Sequence, residues 1–219
     1  MRTGVFGGTF NPIHHGHLRL AEMARERCAL DQVLFLPAAD PPHKAVAGEA
    51  TFADRMAMVA AAIADHPNFV LSDLEGQRPG KSYSVETLEI LRRNHPDDEL
   101  YFLIGMDSFR DIDSWRDYRR LFTLAHLVVV PRPGVTFPPV PERMVPVAMA
   151  GEFCYDAARH ALLHQSGMRV VLLADDCLDI SSTAIRSHLA AGRSVRYLLP
   201  STVSEYISIH GLYRGPERS

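Results

Sequence analysis

Paired glycines and two histidines stand together between Gly7 and His17, directly after a short apolar start. Glycine has no Cβ, so Gly7 and Gly8 allow a sharp turn and a close approach of the backbone to a ligand. Apolar residues after Gly16 recur at helical spacing up to Cys28, which predicts a helix that begins beside the turn. The unpaired N–H groups and the positive dipole end of that helix would face the turn. The segment therefore predicts an anion site.

His14 and His17 have a His-x-x-His spacing that could also hold a metal ion. A metal site needs further ligands and usually a continuous helix, whereas Pro12 and Gly16 interrupt this segment. Two surface or packing histidines are the other alternative. Their place between paired glycines and a helix start favours contacts to phosphate oxygens. An imidazole N–H is a directional donor whose bond strengthens as negative charge builds up in a transition state.

A second polar group stands much later in the chain, in Ile180-Ser181-Ser182-Thr183-Ala184-Ile185-Arg186. Hydroxyl residues ahead of an amphipathic stretch are ordinary helix N-caps, and that is one interpretation. The other is compatible with it, because hydroxyls and amides at a helix start, with a guanidinium one turn further on, form an anion site. Together the two sites could grip a triphosphate from two sides.

Apolar, β-branched runs alternate with amphipathic stretches along the chain, which predicts alternating strands and helices. The predicted strands are Gly4–Phe6, Val33–Leu36, Phe69–Leu71, Leu100–Ile104, Leu127–Val130 and Arg169–Leu173. The predicted helices are Gly16–Cys28, Ala53–Ala64, Val85–Arg93, Ser182–Ala191 and Ser201–His210. Runs such as Leu127–Val130 are hydrophobic without alternation, as in strands covered on both faces. The expected fold is α/β, a doubly wound, Rossmann-like parallel sheet with helices on both faces.

The length of 219 residues fits one domain, 1–219, with a small C-terminal helical portion from about residue 180. The proline-rich segment Pro131–Pro146 is interpreted as a surface connection. In an open α/β sheet, ligands sit outside the carboxyl ends of the strands, where the strand order reverses. Four segments that follow strands could converge there, namely Gly7–His17, Pro37–Lys44, Gly105–Asp107 and Ile180–Arg186.

Composition excludes several classes of function. With 47% hydrophobic residues, 22% charged residues and a net charge of −3, nothing indicates disorder, a membrane span or a general nucleic-acid surface. The start at Met1-Arg2 shows no leader pattern, which predicts a cytoplasmic protein. Cys28, Cys154 and Cys177 are far apart, which argues against a disulfide framework and a structural zinc site. The absence of a P-loop and of a Gly-x-Ser-x-Gly elbow excludes P-loop kinases and common serine hydrolases.

The two polar segments together resemble the nucleotidylyltransferase superfamily. They are Gly7-Gly8-Thr9-Phe10-Asn11-Pro12-x-His14-x-Gly16-His17 and Ile180-Ser181-Ser182-Thr183-x-x-Arg186. In detail the chain is similar to the bacterial nicotinate-nucleotide adenylyltransferase family, from Val5 to Arg214. Intermediate landmarks agree with this, namely Pro41-Pro42-His43-Lys44, Ser82-Tyr83-Ser84, Ile104-Gly105-Met106-Asp107-Ser108, Trp115 with Tyr118, and Arg132-Pro133-Gly134.

The resemblance implies transfer of AMP from ATP to nicotinate mononucleotide, with Mg²⁺ carried by ATP rather than by a protein cage. The chain could act as a homo-oligomer. The resemblance implies catalytic roles for His14, His17, Lys44 and Arg186. It implies ATP contacts from Gly7, Gly8, Thr9, Phe10, His17, Ile104, Gly105, Asp107, Arg132, Ser181, Ser182, Thr183 and Arg186. It implies contacts to nicotinate mononucleotide from Tyr83, Ser84, Trp115, Arg116 and Lys44.

Several of these residues have an ordinary structural alternative. Lys44 could be a solvated loop charge, Asp107 a helix cap and Trp115 a core residue. By resemblance, Lys44 reaches the phosphates, Asp107 accepts a hydrogen bond from the adenosine ribose, and Trp115 stacks on the pyridine ring. The loop around Trp115 and the Ser82–Ser84 turn would hold the nicotinate, whose carboxylate accepts bonds from backbone amides and hydroxyls. Arg116 could add positive charge.

Three departures from the family pattern stand out. Asn11 replaces a common Asp and Ser84 a usual Thr, and both changes keep the local hydrogen-bonding capacity. Ala38 replaces a frequent Asn and loses a side-chain hydrogen bond, so that contact is not assigned here. Three other activities stay open: a phosphopantetheine adenylyltransferase, which shares both end motifs; a class I aminoacyl-tRNA synthetase core; and a nucleotide-sensing module without catalysis.

Overall fold

A computed structural model describes residues 1–41, 50–131, 137–138, 140–173 and 177–215. The strands in these ranges are β1 (Arg2–Gly8), β2 (Gln32–Pro37), β3 (Phe69–Leu71), β4 (Glu99–Gly105), β5 (His126–Val130), β6 (Phe153–Asp156), β7 (Ala161–His164) and β8 (Arg169–Leu172). The α-helices are α1 (His15–Cys28), α2 (Phe52–Ile63), α3 (Ser84–Asn94), α4 (Met106–Arg110), α5 (Tyr118–Leu124), α6 (Ser182–Ala190) and α7 (Ser201–Ile209). Short 3₁₀ helices span Ile112–Ser114, Pro141–Met144 and Val147–Glu152.

The strands form one sheet in the order β3-β2-β1-β4-β5-β8-β7-β6. Neighbours from β3 to β8 run parallel, and β7 and β6 continue the sheet in antiparallel fashion. From β1 the chain moves outward through β2 and β3, then returns to place β4 on the other side of β1. The strand order therefore reverses between β1 and β4, and the predicted doubly wound parallel sheet is confirmed.

Helices cover both faces of this sheet, as predicted. On one face, buried residues of α1, α2, α6 and α7 pack against the strands, among them Ala21, Met58, Ile185 and Val203. On the other face α3, α4 and α5 do the same through residues that include Leu88, Phe109 and Phe122. The central strand β5 is buried at every position, which explains why its sequence is apolar without alternation.

Side-chain caps fix where two of the helices begin. The Thr51 hydroxyl accepts the N–H of Asp54 at 3.2 Å, and the Asp54 carboxylate accepts the N–H of Thr51 at 2.8 Å, which is a capping box at the start of α2. The Ser181 hydroxyl accepts the N–H of Ala184 at 3.2 Å and caps α6. The N-cap interpretation of this hydroxyl is therefore confirmed, and it leaves room for a second role of the same segment.

The hairpin of β6 and β7 was not expected from the sequence. Its turn is closed by Asp156, whose Oδ1 accepts the N–H groups of Ala158 and Arg159 at 3.0 and 3.2 Å. His164 at the end of β7 is buried and lies 3.2 Å from a carboxylate oxygen of Glu152. The sheet thus extends well past the proline-rich connection. In the parts of the chain that the structure describes, no helix is both long and apolar enough to cross a membrane.

Candidate active site

A cleft of about 230 Å³ opens at the carboxyl edge of the sheet, where the strand order reverses between β1 and β4. In register, Gly8 of β1 lies opposite Pro37 of β2, and Gly105 of β4 lies opposite Val130 of β5, so these strand ends share one edge. Nine of the predicted ligand-contacting residues line the cleft: Gly7, Gly8, Thr9, Tyr83, Ser84, Ile104, Gly105, Trp115 and Arg116. Ala38 and Pro41 line it from the β2 side.

Trp115 and Tyr83 form the aromatic part of the cleft wall. Trp115 follows a 3₁₀ turn and is anchored by its backbone N–H, which donates to the carbonyl of Ile112 at 3.0 Å. Its ring is half-buried and meets Phe102 edge-on, with ring centroids 6.3 Å apart. Arg116 lies over the Tyr83 ring at 4.8 Å and pairs with Glu86 at 3.0 Å. A flat aromatic ligand would find a stacking surface and a guanidinium here.

His14 and His17 stack on each other, with ring centroids 3.7 Å apart and planes inclined by 27°. The backbone N–H of His14 donates to Nδ1 of His17 at 3.3 Å. A ring nitrogen that accepts a hydrogen bond carries no proton, so neutral His17 holds its proton on Nε2. Nε2 is consequently the atom with which His17 can donate to a ligand.

Both histidines are neutral at pH 7. Burial, with a smaller effect of His15, lowers the pKa of His14 to about 4. Burial, with a smaller effect of His14, lowers the pKa of His17 well below its usual range. Nδ1 of His14 is also buried without a hydrogen-bond partner. The pair can therefore donate hydrogen bonds without bringing positive charge of its own.

Packing beneath the histidines leaves little space for a side chain at two glycine positions of the segment. Phe10, with φ of 47° and 2% exposure, meets the His17 ring edge-on at 5.1 Å. A Cβ on Gly8 would lie 3.0 Å from the Phe10 ring, and a Cβ on Gly16 would lie 3.0 Å from the His14 ring. The Phe10 ring supports His17 from the core, so any contact of Phe10 with ATP must come from its backbone.

The two polar segments are held against each other, although they are far apart in sequence. The Arg186 guanidinium donates to the carbonyl of Asn11 at 2.8 Å, and the Ser182 hydroxyl donates to the carbonyl of Pro12 at 2.9 Å. The Tyr213 hydroxyl donates to Oδ1 of Asn11 from the buried side, and burial raises the Tyr213 pKa. Thr183 lies 3.4 Å from the Arg186 guanidinium. The start of α6 is thereby placed next to the histidine segment, as predicted.

Arg55 is a site-forming residue that the sequence did not reveal. It is 1% exposed, and one of its guanidinium nitrogens donates to the carbonyls of Thr9 and Ala38, at 2.8 and 2.7 Å. These carbonyls belong to the segments that follow β1 and β2, so Arg55 joins two walls of the cleft from below. An arginine among the alanines and methionines of α2 was the available signal.

The remaining predicted residues lie elsewhere or beyond the described ranges. Lys44 and Arg132 lie outside the described residues. Asp107 stands in the first turn of α4, which begins directly after Gly105. His14, His17 and the residues of the α6 start do not line the cleft itself. The predicted site thus divides into a cleft group and a histidine–arginine group, joined through the glycine turn. Within the described ranges, no cluster of three or more His, Cys, Asp or Glu side chains has the arrangement of a metal site.

Comparison with known proteins agrees with this geometry. The model of the family described as cytidylyltransferase-like matches residues 5–188. A protein of Syntrophotalea carbinolica named probable nicotinate-nucleotide adenylyltransferase is 60% identical over 219 residues, all of both chains. A protein of the same name from Citrifermentans bemidjiense is 53% identical over 97% of this chain and 98% of its own.

Among solved structures, the Plasmodium falciparum nicotinic acid mononucleotide adenylyltransferase complexed with NaAD is similar, with a TM-score of 0.74 and 17% identity over 97% of each chain. The same Plasmodium falciparum enzyme complexed with APC gives a TM-score of 0.72 at 17% identity, over 97% of this chain and 96% of that one. At this level of identity the similarity shows the fold alone.

Proposed function

The chain belongs to the cytidylyltransferase-like family, and we propose that it transfers AMP from ATP to nicotinate mononucleotide, giving nicotinate adenine dinucleotide and pyrophosphate. The observation that carries the proposal is the arrangement at the strand-order reversal. An aromatic cleft lies there beside a segment that holds two stacked, neutral histidines, and Arg186 is hydrogen-bonded to Asn11 of that segment. Relatives 60% and 53% identical over nearly the full chain are named for this activity.

In this reaction an oxygen of the acceptor's phosphate attacks the α-phosphorus of ATP. The new phosphorus–oxygen bond forms as the bond from the α-phosphorus to the bridging oxygen breaks, and that oxygen leaves with pyrophosphate. No side chain has to act as nucleophile or to remove a carbon-bound proton. Catalysis then depends on positioning and on stabilising the charge that develops on the phosphate oxygens.

We assign His14 and His17 to the oxygens around the α-phosphorus. Their neutral state leaves N–H groups available as donors, and His17 is fixed by the hydrogen bond to Nδ1 so that Nε2–H is the donor. Such a bond strengthens as negative charge develops, which lowers the barrier without requiring proton transfer. The stacked arrangement orients both rings before the substrate arrives.

We assign Arg186 and the start of α6 to the phosphates that leave as pyrophosphate. A guanidinium carries five N–H groups, and the bonds to Asn11 and Thr183 use two of them. The hydroxyl of Ser181 and the amides of the α6 start add donors there. The Ser182 hydroxyl already donates to Pro12, so Ser182 contributes through its backbone N–H. Lys44 is assigned to the same phosphates from the resemblance. Mg²⁺ is written as part of the substrate MgATP, because it prefers phosphate oxygens and water to a dedicated protein cage.

The cleft group is assigned to the two nucleosides. Trp115, Tyr83 and Ser84 would hold the pyridine ring, and Arg116 would add positive charge near its carboxylate. Ile104, Gly105 and Asp107 would face the adenosine half, with Gly7, Gly8 and Thr9 between the halves. A single domain over 1–219, a cytoplasmic location and a homo-oligomer stay predictions from the sequence.

The test is pyrophosphate release from MgATP with three acceptors offered separately: nicotinate mononucleotide, nicotinamide mononucleotide and phosphopantetheine. The proposal expects the highest kcat/KM with nicotinate mononucleotide and a dinucleotide product of the corresponding mass. A preference for phosphopantetheine would replace the proposal with the alternative activity. Nucleotide binding without release of pyrophosphate from ATP, whichever acceptor is present, would indicate the sensing module.

A further inference from the structure

Glu75 is a buried carboxylate that lines the cleft without belonging to the predicted site. It is 7% exposed and lies in the connection between β3 and α3. One of its oxygens accepts a hydrogen bond from the Thr87 hydroxyl in the first turns of α3. The other oxygen, Oε2, is buried without a hydrogen-bond partner. Glu75 thus ties the start of α3, and with it the wall formed by Tyr83 and Ser84, to the floor of the cleft.

Arg78 forms an ion pair with this carboxylate. Its Nη2 lies 3.6 Å from Oε2 of Glu75, and its Nη1 lies 3.8 Å from Glu86. The side chain is 17% exposed, and its Nε and Nη1 have no hydrogen-bond partner. The two partners therefore interact through charge rather than through hydrogen bonds. A buried pair of this kind contributes little to stability compared with apolar residues of the same size.

The pair continues into a chain of alternating charge that ends at the cleft. From Glu75 and Arg78 it passes to Glu86, which pairs with Arg116 at 3.0 Å, and Arg116 lies over the Tyr83 ring. The positive end of the chain is therefore the cleft-lining Arg116. If Arg78 were neutral, the charge of Glu75 would be uncompensated at the cleft wall. An uncompensated carboxylate in a site of low polarity repels an anion far more than a neutral ligand.

We propose that Arg78 is a positioning residue that sets the preference of the cleft for a pyridine ring bearing a carboxylate over one bearing an amide. It acts through Glu75: the carboxylate is needed to hold the start of α3, and the guanidinium cancels its charge so that an anionic ring can enter. The inference rests on the proposed function. Neither residue has to touch the substrate.

The test compares kcat/KM for nicotinate mononucleotide and nicotinamide mononucleotide, whose phosphates and riboses are the same. Arg78→Gln should lower the ratio of acid to amide by about tenfold, through KM for the acid, with KM for ATP little changed. Glu75→Gln removes the opposite charge while keeping an acceptor for Thr87, and should raise the ratio by about threefold or more. The double variant should return the ratio to within about threefold of the starting value.

Arg93→Gln is the matched control, because it removes the same charge from the exposed last turn of α3 and should leave the ratio unchanged. Circular dichroism and thermal unfolding establish which variants fold. If Arg78→Gln does not fold, Glu75→Gln decides the question. Folded variants whose ratios stay within twofold of wild type would overturn the inference. Failure of the proposed function is seen separately, because the unmodified chain would then use neither mononucleotide.

Discussion

Acid should destabilise this protein through histidines that are buried in the neutral state. The pKa of His14 is lowered to about 4 by burial, and that of His126 is lowered to about 4 by burial with a smaller effect of Arg169. In the unfolded chain both titrate near 6.5. As pH falls below 6.5 the unfolded state takes up protons that the folded state does not. The free energy of unfolding therefore falls with pH, and the loss levels off below about pH 4.

The size of the effect follows from the two pKa values. One pKa unit corresponds to about 1.36 kcal/mol, so at pH 5 each histidine has removed about 2 kcal/mol of the stability present above pH 7. At pH 4 the loss per histidine approaches about 3 kcal/mol, set by a shift of about 2.5 units. Two histidines at pH 5 therefore account for about 4 kcal/mol, a large part of a typical domain's stability.

His14→Ala and His126→Ala separate the contribution of each ring. Urea unfolding at several pH values from 8 to 5 gives the free energy of unfolding of each variant. Between pH 8 and pH 5 this free energy should fall by about 2 kcal/mol less in each variant than in wild type. Any packing that the variant loses lowers its stability equally at all pH values and does not change this difference. His126 begins β5 at the opposite edge of the sheet from the cleft, so its variant should keep kcat. His14→Ala should lower kcat by about 10²- to 10³-fold. If the free energy of unfolding of both variants falls with pH as steeply as that of wild type, the inference that these histidines are buried in the neutral state is refuted.

Three further changes probe the site. Arg55→Met should lower the free energy of unfolding by about 2 to 4 kcal/mol in urea titrations, since the carbonyls of Thr9 and Ala38 lose their donor. A loss smaller than about 1 kcal/mol would contradict the role of Arg55 in joining these two segments. Arg186→Met should raise KM for MgATP and lower kcat together in steady-state assays, whereas an effect confined to the acceptor's KM would move Arg186 out of the phosphate site. Trp115→Ala should raise KM for nicotinate mononucleotide about 3- to 10-fold, whereas Trp115→Phe should keep KM close to the wild-type value. Equal effects of the two substitutions would contradict stacking.

The parts of the fold that the sequence predicts are those decided locally. β5 lies in the middle of the sheet and is buried at all five positions, so it was recognisable from the apolar run Leu127–Val130. The β6 and β7 strands have four residues each and follow a proline-rich connection, and such short runs carry no distinct period. His164 is buried beside Glu152 only because this hairpin forms, so its burial could not be predicted from the neighbouring sequence.

The candidate site divides in the same way. The glycine turn and the α6 start were visible because their residue types are unusual at fixed spacing, and the structure brings them together through Arg186 and Asn11. Arg55 and Arg78 were not visible, because their roles depend on carbonyls and carboxylates supplied by other segments. A charged residue on a helix or loop is ordinarily solvated, and only burial in the folded chain distinguishes these two.

Burial of His14 and His17 links the expected loss of stability at low pH to the proposed chemistry. Solvated imidazoles would titrate near 6.5, so a fraction of them would be cationic at pH 7 and would bind phosphate in the ground state as well as in the transition state. Buried rings stay neutral, and their N–H bonds strengthen mainly where charge develops. The same desolvation lowers their pKa and makes the fold less stable below pH 6.5. Exposing either ring should therefore raise stability in acid and lower kcat, since one physical cause controls both.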